Sequence, residues 1–320
     1  MIKKYYIRKI YITILVFITL FLIYLMPSSQ EKNKYLLNTT NIEYTYNNAK
    51  ETVYLLDSNN YIARTTINGC NCQTKETAKD ALESLIIDGK KNNSIPNGFR
   101  SIIPSGTEIL NIDLENKILT INFSKELLDI NEKYEEKMLE AIIYTLTSID
   151  GIDGIIIKVE GKQLEKLPNS QKKLPTTLTK KYGINKEYDI INTSNIDYYT
   201  VYYVSNYNDN KYYVPVTKYI NNNNKDKIKL IINELSTSPI YETNLMSYLN
   251  SNVSLLDYDI EDNILKLNFN NSILSNNNDK ILEEVIYTIS LSVNDNYNIK
   301  EISFLVDNKE IYKNSLKTIE

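Results

Sequence analysis

The chain contains no histidine. That absence removes the Ser-His-Asp and Cys-His nucleophile pairs, the imidazole metal ligands and the commonest general base near neutral pH. Catalysis, if any, would rest on carboxylates, Lys, Tyr or Cys. An excess of positive charge is missing too. The net charge of −4 has the wrong sign for gripping a phosphate backbone by counterion release, so no nucleic-acid partner is expected. Cysteine is nearly absent: there are two in 320 residues, the first is Cys70, and a lipid-modified amino terminus would need one much earlier. What is present suffices for globular structure, with 42% hydrophobic and 24% charged residues over a length that allows one large or two small cores. Asn, Lys, Ile and Tyr are abundant and all have A/T-rich codons, so the 27 tyrosines carry little functional weight by number alone.

Lys3, Lys4, Arg8 and Lys9 precede an uncharged run over residues 10–26, which Pro27 ends. At 1.5 Å per residue the run spans roughly 25 Å, the short end of what a transmembrane helix needs. The basic flank, residues 1–9, is expected to stay in the cytoplasm and everything past Pro27 to lie outside it. Pro27-Ser28-Ser29 makes a poor cleavage site, and the run lacks the polar face of a surface-packed helix. The expectation is therefore an uncleaved, single-pass anchor in the cytoplasmic membrane with an extracytoplasmic C-terminal region, joined by a tether over 27–49.

Two strands are written almost identically, "ILTINF" at 118–123 and "ILKLNF" at 264–269. Their separation is that of a small domain rather than a hairpin. Residues 53–56 and 61–67 read as paired strands around the turn-forming Ser58-Asn59-Asn60. A helix follows over 77–87, with Ala78, Ala81, Leu82, Leu85 and Ile86 on one face and Gly89 placed to stop it. Strands over 107–112 and 118–123, a helix over 133–148 and a strand over 155–159 complete the order ββαββαβ. The second half repeats it, with strands at 199–204 and 212–219, a helix at 225–235, strands at 253–258 and 264–269, a helix at 279–291 and a strand at 302–306. The fold expected is α+β: two tandem ββαββαβ domains, at 50–164 and 197–314, each a mixed sheet with two helices packed on one face. Residues 165–196, rich in Lys, Pro, Thr and Asn, read as a linker.

The turn-helix "TAKDALESLIIDGK" (77–90), "IPSGTEIL" (103–110), "ILTINFS" and above all "AIIYTLTSIDGIDGIIIKVEG" (141–161) resemble the GerMN domain of the GerM sporulation and spore germination family. The second half matches more loosely, through "EVIYTISLSVN" (284–294) and "ISFLVDNK" (302–309), and lacks the counterpart of the Ser105-Gly106 turn. The resemblance implies a non-enzymatic, membrane-tethered envelope protein of a spore-forming bacterium, without a cofactor. It would assemble or scaffold an extracytoplasmic complex with other sporulation envelope proteins. The alternative is a peptidoglycan-binding module that positions cell-wall enzymes, and a carboxylate-dependent wall hydrolase is a third reading.

Few residues stand out as sites. Cys70 and Cys72 could form a disulfide, could bind a metal with recruited carboxylates, or could be two loop thiols without function. Glu132, Glu135, Glu136 and Glu140 fall along the polar side of the long helix and read as a solvated face, as do Glu283 and Glu284. Tyr198, Tyr199, Tyr202, Tyr203, Tyr212 and Tyr213 could stack on sugars, although strand alternation sends about half of them into the core. Tyr144 and Tyr287, each followed by Thr, look like one tyrosine kept in both repeats. The helical angle places Tyr144 away from the Leu139, Ile142, Ile143 and Leu146 stripe, so it is a candidate docking surface; the alternative is packing on the neighbouring helix.

Overall fold

Hairpins organise both halves of the chain, and Asn and Asp make most of their turns. Asn208-Asp209, Asp262-Asn263 and Asp307-Asn308 each hold two successive positive φ values, the geometry that lets a two-residue turn follow the strand twist. The computed structural model describes residues 15, 19, 50–70, 72–221, 226–237, 243–275, 280–297 and 299–315. Apart from Leu15 and Thr19, the expected anchor at 10–26 lies outside the described residues, as does the tether at 27–49. Among the described residues no helix is long and apolar enough to cross a membrane.

The first repeat runs β1 (Lys50–Asp57), β2 (Ile62–Asn68), α1 (Thr74–Leu85), the short β3 (Phe99–Arg100), β4 (Ile109–Glu115), β5 (Ile118–Phe123), α2 (Glu132–Leu146), β6 (Gly154–Val159) and the two-residue β7 (Lys162–Gln163). After β8 (Glu187–Asp189) the second repeat follows as β9 (Ile196–Tyr207), β10 (Asn210–Asn221), α3 (Lys227–Ser236), β11 (Leu255–Glu261), β12 (Ile264–Phe269), α4 (Glu283–Asn296), β13 (Glu301–Val306) and β14 (Lys309–Ser315). The duplicated α+β order is as the sequence indicates. The two nearly identical strands, β5 and β12, hold the same place. Each pairs antiparallel with the strand before it and parallel with the strand after the long helix, the connection a helical crossover permits.

The expectation of one mixed sheet per repeat with both helices on one face is corrected. Each repeat keeps a four-stranded mixed sheet, β4-β5-β6-β7 or β11-β12-β13-β14. Its opening hairpin belongs to another sheet, shared between the repeats in the order β3-β1-β2-β10-β8, with β9 on the far side of β10. Helix α2 lies between the two sheets, packing on β1 and on β6. The physical reason is its composition: Met138, Leu139, Ala141, Ile142, Ile143, Tyr144 and Leu146 are all buried, and a helix apolar round most of its circumference needs cover on more than one side. Helix α4 packs on β9 in the corresponding way.

Residues 165–196 are not a free linker. Leu167, Leu178 and Ile184 are buried in the core of the first repeat, and β8 pairs parallel with β10. Between them Asn185, at φ 45°, inserts its amide where the shared sheet is joined. Its Oδ1 accepts from Ile62 N–H at 2.9 Å, and its Nδ2 donates to the carbonyls of Ile62 and Pro215, each at 2.7 Å. One side chain thus completes the ladder between β2 and β10, which otherwise meet at Arg64 and Tyr213. Two apolar cores flank this joint, and the described residues between 50 and 315 form one compact unit.

Candidate functional site

The joint buries a chain of polar groups. The Tyr54 and Tyr202 hydroxyls lie 2.8 Å apart, Tyr202 donates to Asp295 Oδ2 at 2.6 Å, and Lys180 Nζ stands 2.5 Å from Asp295 Oδ1. Burial, then the Asp295 charge, raises the pKa of both tyrosines. Burial alone would depress Lys180, but Asp295 and then Tyr54 together more than offset this and raise it. The network is fully partnered, so it fixes how the repeats sit rather than offering a reactive group.

Tyr144 belongs to this joint and is not a docking surface. It is 0% exposed, its ring meets that of Tyr54 edge-on at 5.5 Å, and its hydroxyl donates to the Lys180 carbonyl at 3.3 Å. Its neighbours include Tyr54 on β1 and Lys180 of the 165–196 segment. Nor is Tyr287 its counterpart. Tyr54 N–H donates to Thr145 Oγ1 and Tyr202 N–H donates to Ser292 Oγ, both at 2.9 Å, which matches Thr145 with Ser292 and hence Tyr144 with Leu291. The shared Tyr-Thr dipeptide is displaced by about one helical turn. Tyr287 is half-buried, with its ring 5.7 Å from that of Tyr213.

Of the four glutamates of α2, Glu132 is exposed as expected and Glu136 is half-exposed, whereas Glu135 and Glu140 are corrected. Glu135 accepts the backbone N–H groups of Asn169 and Ser170, at 2.9 and 3.0 Å, and Glu140 accepts from Asn185 N–H and pairs with Lys186 at 3.1 Å. Both are buried, because the 165–196 segment covers the helix face that its composition marks as solvated. Of the six tyrosines read as a sugar platform, Tyr199, Tyr202, Tyr203 and Tyr212 are buried, with hydroxyls on Glu234, Asp295, Glu234 and Asp57 respectively. A different aromatic surface is exposed: Tyr188, 60% accessible, stacks on Tyr219 at 5.0 Å beside Tyr198.

Cys70 and Cys72 are joined in a disulfide, with Cα atoms 5.2 Å apart. Two acids that the sequence reading missed lie against it. Glu51, on β1, turns inward with Val53 and Leu55, and its Oε1 accepts the Cys70 N–H at 3.2 Å. Asp80, on α1, pairs with Lys91 at 2.7 Å. Burial, then the Asp80 charge, pushes the Glu51 pKa up to about 7. The available signal was strand alternation, which extends the inward face of β1 back to an acid.

The first repeat also carries an open concavity of about 490 Å³ beside the Ser105-Gly106 turn. Leu56, Ile87, Ile102, Pro104 and Tyr134 make it apolar, and Arg100 and Asp129 charge its rim. With Asp129 as its single carboxylate, this lining cannot supply the acid/base pair of a glycan hydrolase.

Comparison with known proteins agrees with the duplicated architecture. A family profile described as Germane: Sporulation and spore germination matches residues 52–165 and again 200–312. The chain is 33% identical over 263 residues to the spore germination protein GerM of Bacillus subtilis (strain 168), covering 80% of this chain and 71% of that one. It is similar in structure to the tandem GerMN domains of the sporulation protein GerM from Bacillus subtilis, with a TM-score of 0.75 and 32% identity over 81% of this chain and 91% of the other.

Proposed function

Because the chain belongs to the Germane family of sporulation and spore germination proteins and carries tandem GerMN-like domains, we propose that it is a membrane-anchored, non-enzymatic assembly protein of the sporulation envelope. In this reading residues 10–26 hold it in the cytoplasmic membrane. The exported repeats then present fixed surfaces to other envelope proteins. The observation that carries the reading is the joint. A shared sheet, the Asn185 insertion and the Tyr54–Tyr202–Asp295–Lys180 chain hold the repeats in one orientation, which suits a spacer between partners better than a hinged enzyme.

A second reading, a module that binds peptidoglycan, is favoured by the exposed Tyr188–Tyr219 stack, since flat aromatic faces bind sugar rings. The two separate in one experiment. The gene is deleted and complemented with wild type, with a form lacking residues 1–26 and with Tyr188→Ala, and spore formation and germination are scored apart. Each purified protein is also sedimented with isolated peptidoglycan. Assembly from the membrane predicts loss of complementation without residues 1–26 and no retention on the wall. Retention that Tyr188→Ala abolishes would favour wall binding, and solubilisation of the wall would overturn both.

A further inference from the structure

Glu51 occupies a position that the register of β1 assigns to apolar side chains, and it is 7% exposed. A carboxylate taken that far from water is costly unless it is paired or bound to a cation. One of its oxygens has the Cys70 N–H; the other, Oε2, is buried with no hydrogen-bond partner among the described residues. The neighbouring acid, Asp80, has the same sign. The backbone is shaped to admit this side chain, since a Cβ at Gly69 would lie 2.3 Å from Glu51 Cγ and 2.6 Å from its Oε1. Ligand atoms of Glu51, Cys70 and Asp80 all lie within 4.8 Å of one another, and the Cys72 sulfur is bonded to that of Cys70. Donor atoms around a tetrahedral zinc ion stand about 3.4 to 3.8 Å apart, so a small contraction would complete such a shell.

We propose that Glu51, Cys70, Cys72 and Asp80 form a redox-gated site for a divalent cation of the zinc class, closed as the disulfide and opened by its reduction. A dithiol reductant breaks the Cys70–Cys72 bond. It supplies two electrons and two protons, and is itself oxidised to a disulfide. The cation then displaces the two thiol protons to solvent and takes two thiolates and two carboxylates, an S2O2 set suited to a borderline-soft metal. In the oxidised form neither sulfur carries charge, and the Lys91 ammonium is the cation beside Asp80. Lys91 has a second acceptor in the Asn68 carbonyl at 3.3 Å, where it can remain when Asp80 turns to the metal. The second repeat has no cysteine, so the site belongs to the first repeat alone. The inference does not depend on the assembly reading above.

The test uses the purified full chain, oxidised or reduced and freed of reductant, titrated with Co²⁺ as the visible probe and back-titrated with Zn²⁺. Reduced wild type is expected to take up one Co²⁺ per chain with a thiolate-to-cobalt charge-transfer band that Zn²⁺ removes, and the oxidised protein to show no band. Glu51→Gln and Asp80→Asn, each checked for a native near-ultraviolet spectrum, should each weaken uptake by more than about tenfold. Absence of the band in the reduced wild type overturns the proposal. So does unchanged affinity in either folded carboxylate variant, because the thiols would then bind without the acids.

Discussion

The Tyr54 and Tyr202 hydroxyls meet 2.8 Å apart across 148 residues, the same offset that relates Val53 to Val201. A residue touching its own counterpart is what an approximate two-fold relation produces. The paired donations Tyr54 N–H to Thr145 and Tyr202 N–H to Ser292 repeat that relation on either side. Lys180 and Asp295 break the symmetry, since they supply one ion pair to a joint with two halves.

Removing that ion pair one side at a time should be more damaging than removing both. Asp295→Asn leaves the Lys180 ammonium without its counter-charge and is expected to lower the unfolding free energy by about 2 to 4 kcal/mol. Pairing it with Lys180→Met should recover part of the loss, with a coupling of about 1 to 3 kcal/mol in a urea-unfolding cycle. Strict additivity would show that the two groups do not act together.

Tyr144→Ala should cost about 3 to 5 kcal/mol, as loss of a fully buried aromatic does, whereas Tyr287→Ala, half-buried, should cost roughly 1 kcal/mol. Equal midpoints for the two variants in urea would return them to equivalence.

Asn185 provides a sharper comparison. Asn185→Asp keeps the shape and the acceptor for Ile62 N–H but sets a carboxylate oxygen against the Ile62 and Pro215 carbonyls, near Glu140. It should destabilise more than Asn185→Ala, which costs about 2 to 3 kcal/mol through unpaired backbone groups. The opposite ranking in thermal unfolding would mean that the amide is not the element that joins β2 to β10.

High pH should open the joint. Tyr54, Tyr144 and Tyr202 have pKa values raised above 10.0 by burial and then Asp295, and Lys180 is raised above 10.5. Above about pH 10 the unfolded chain releases these protons before the folded chain does, so the stabilisation is complete below that pH and is lost as pH climbs through the raised values. Phenolate absorbance should therefore include a late step that coincides with loss of near-ultraviolet circular dichroism, and Tyr202→Phe should shrink it. Smooth ionisation of every tyrosine near pH 10 with the fold intact would contradict this.

Order was legible in the sequence because it is written locally. Leu119, Ile121 and Phe123 mark the buried face of β5, and Leu265, Leu267 and Phe269 repeat it in β12. Layering was not legible, because periodicity reports one buried face and says nothing of a second cover. Tyr144 and Glu140 both lie off the stripe of α2, and both are buried by segments distant in sequence. The 165–196 segment escapes notice for a related reason: it contributes single side chains, such as Ile184 and Asn185, where a period needs several. The Tyr-Thr match misleads because a helix returns to nearly the same face after four residues, so a one-turn misalignment leaves the stripe intact. At the cysteine corner the pair itself was visible, while Glu51 became a neighbour only through the inward face of β1.

The shared sheet also imposes an order of events on synthesis. A chain made from its amino terminus has β1 and β2 in place long before β10 exists, and until then the β2 edge and the Tyr54 hydroxyl have no partner. An unpaired strand edge is a template for pairing with another chain. The waiting hairpin is therefore the point at which two nascent molecules could exchange their second repeats, with β2 of one meeting β10 of the other. The same contacts that hold the finished monomer together would build a swapped dimer.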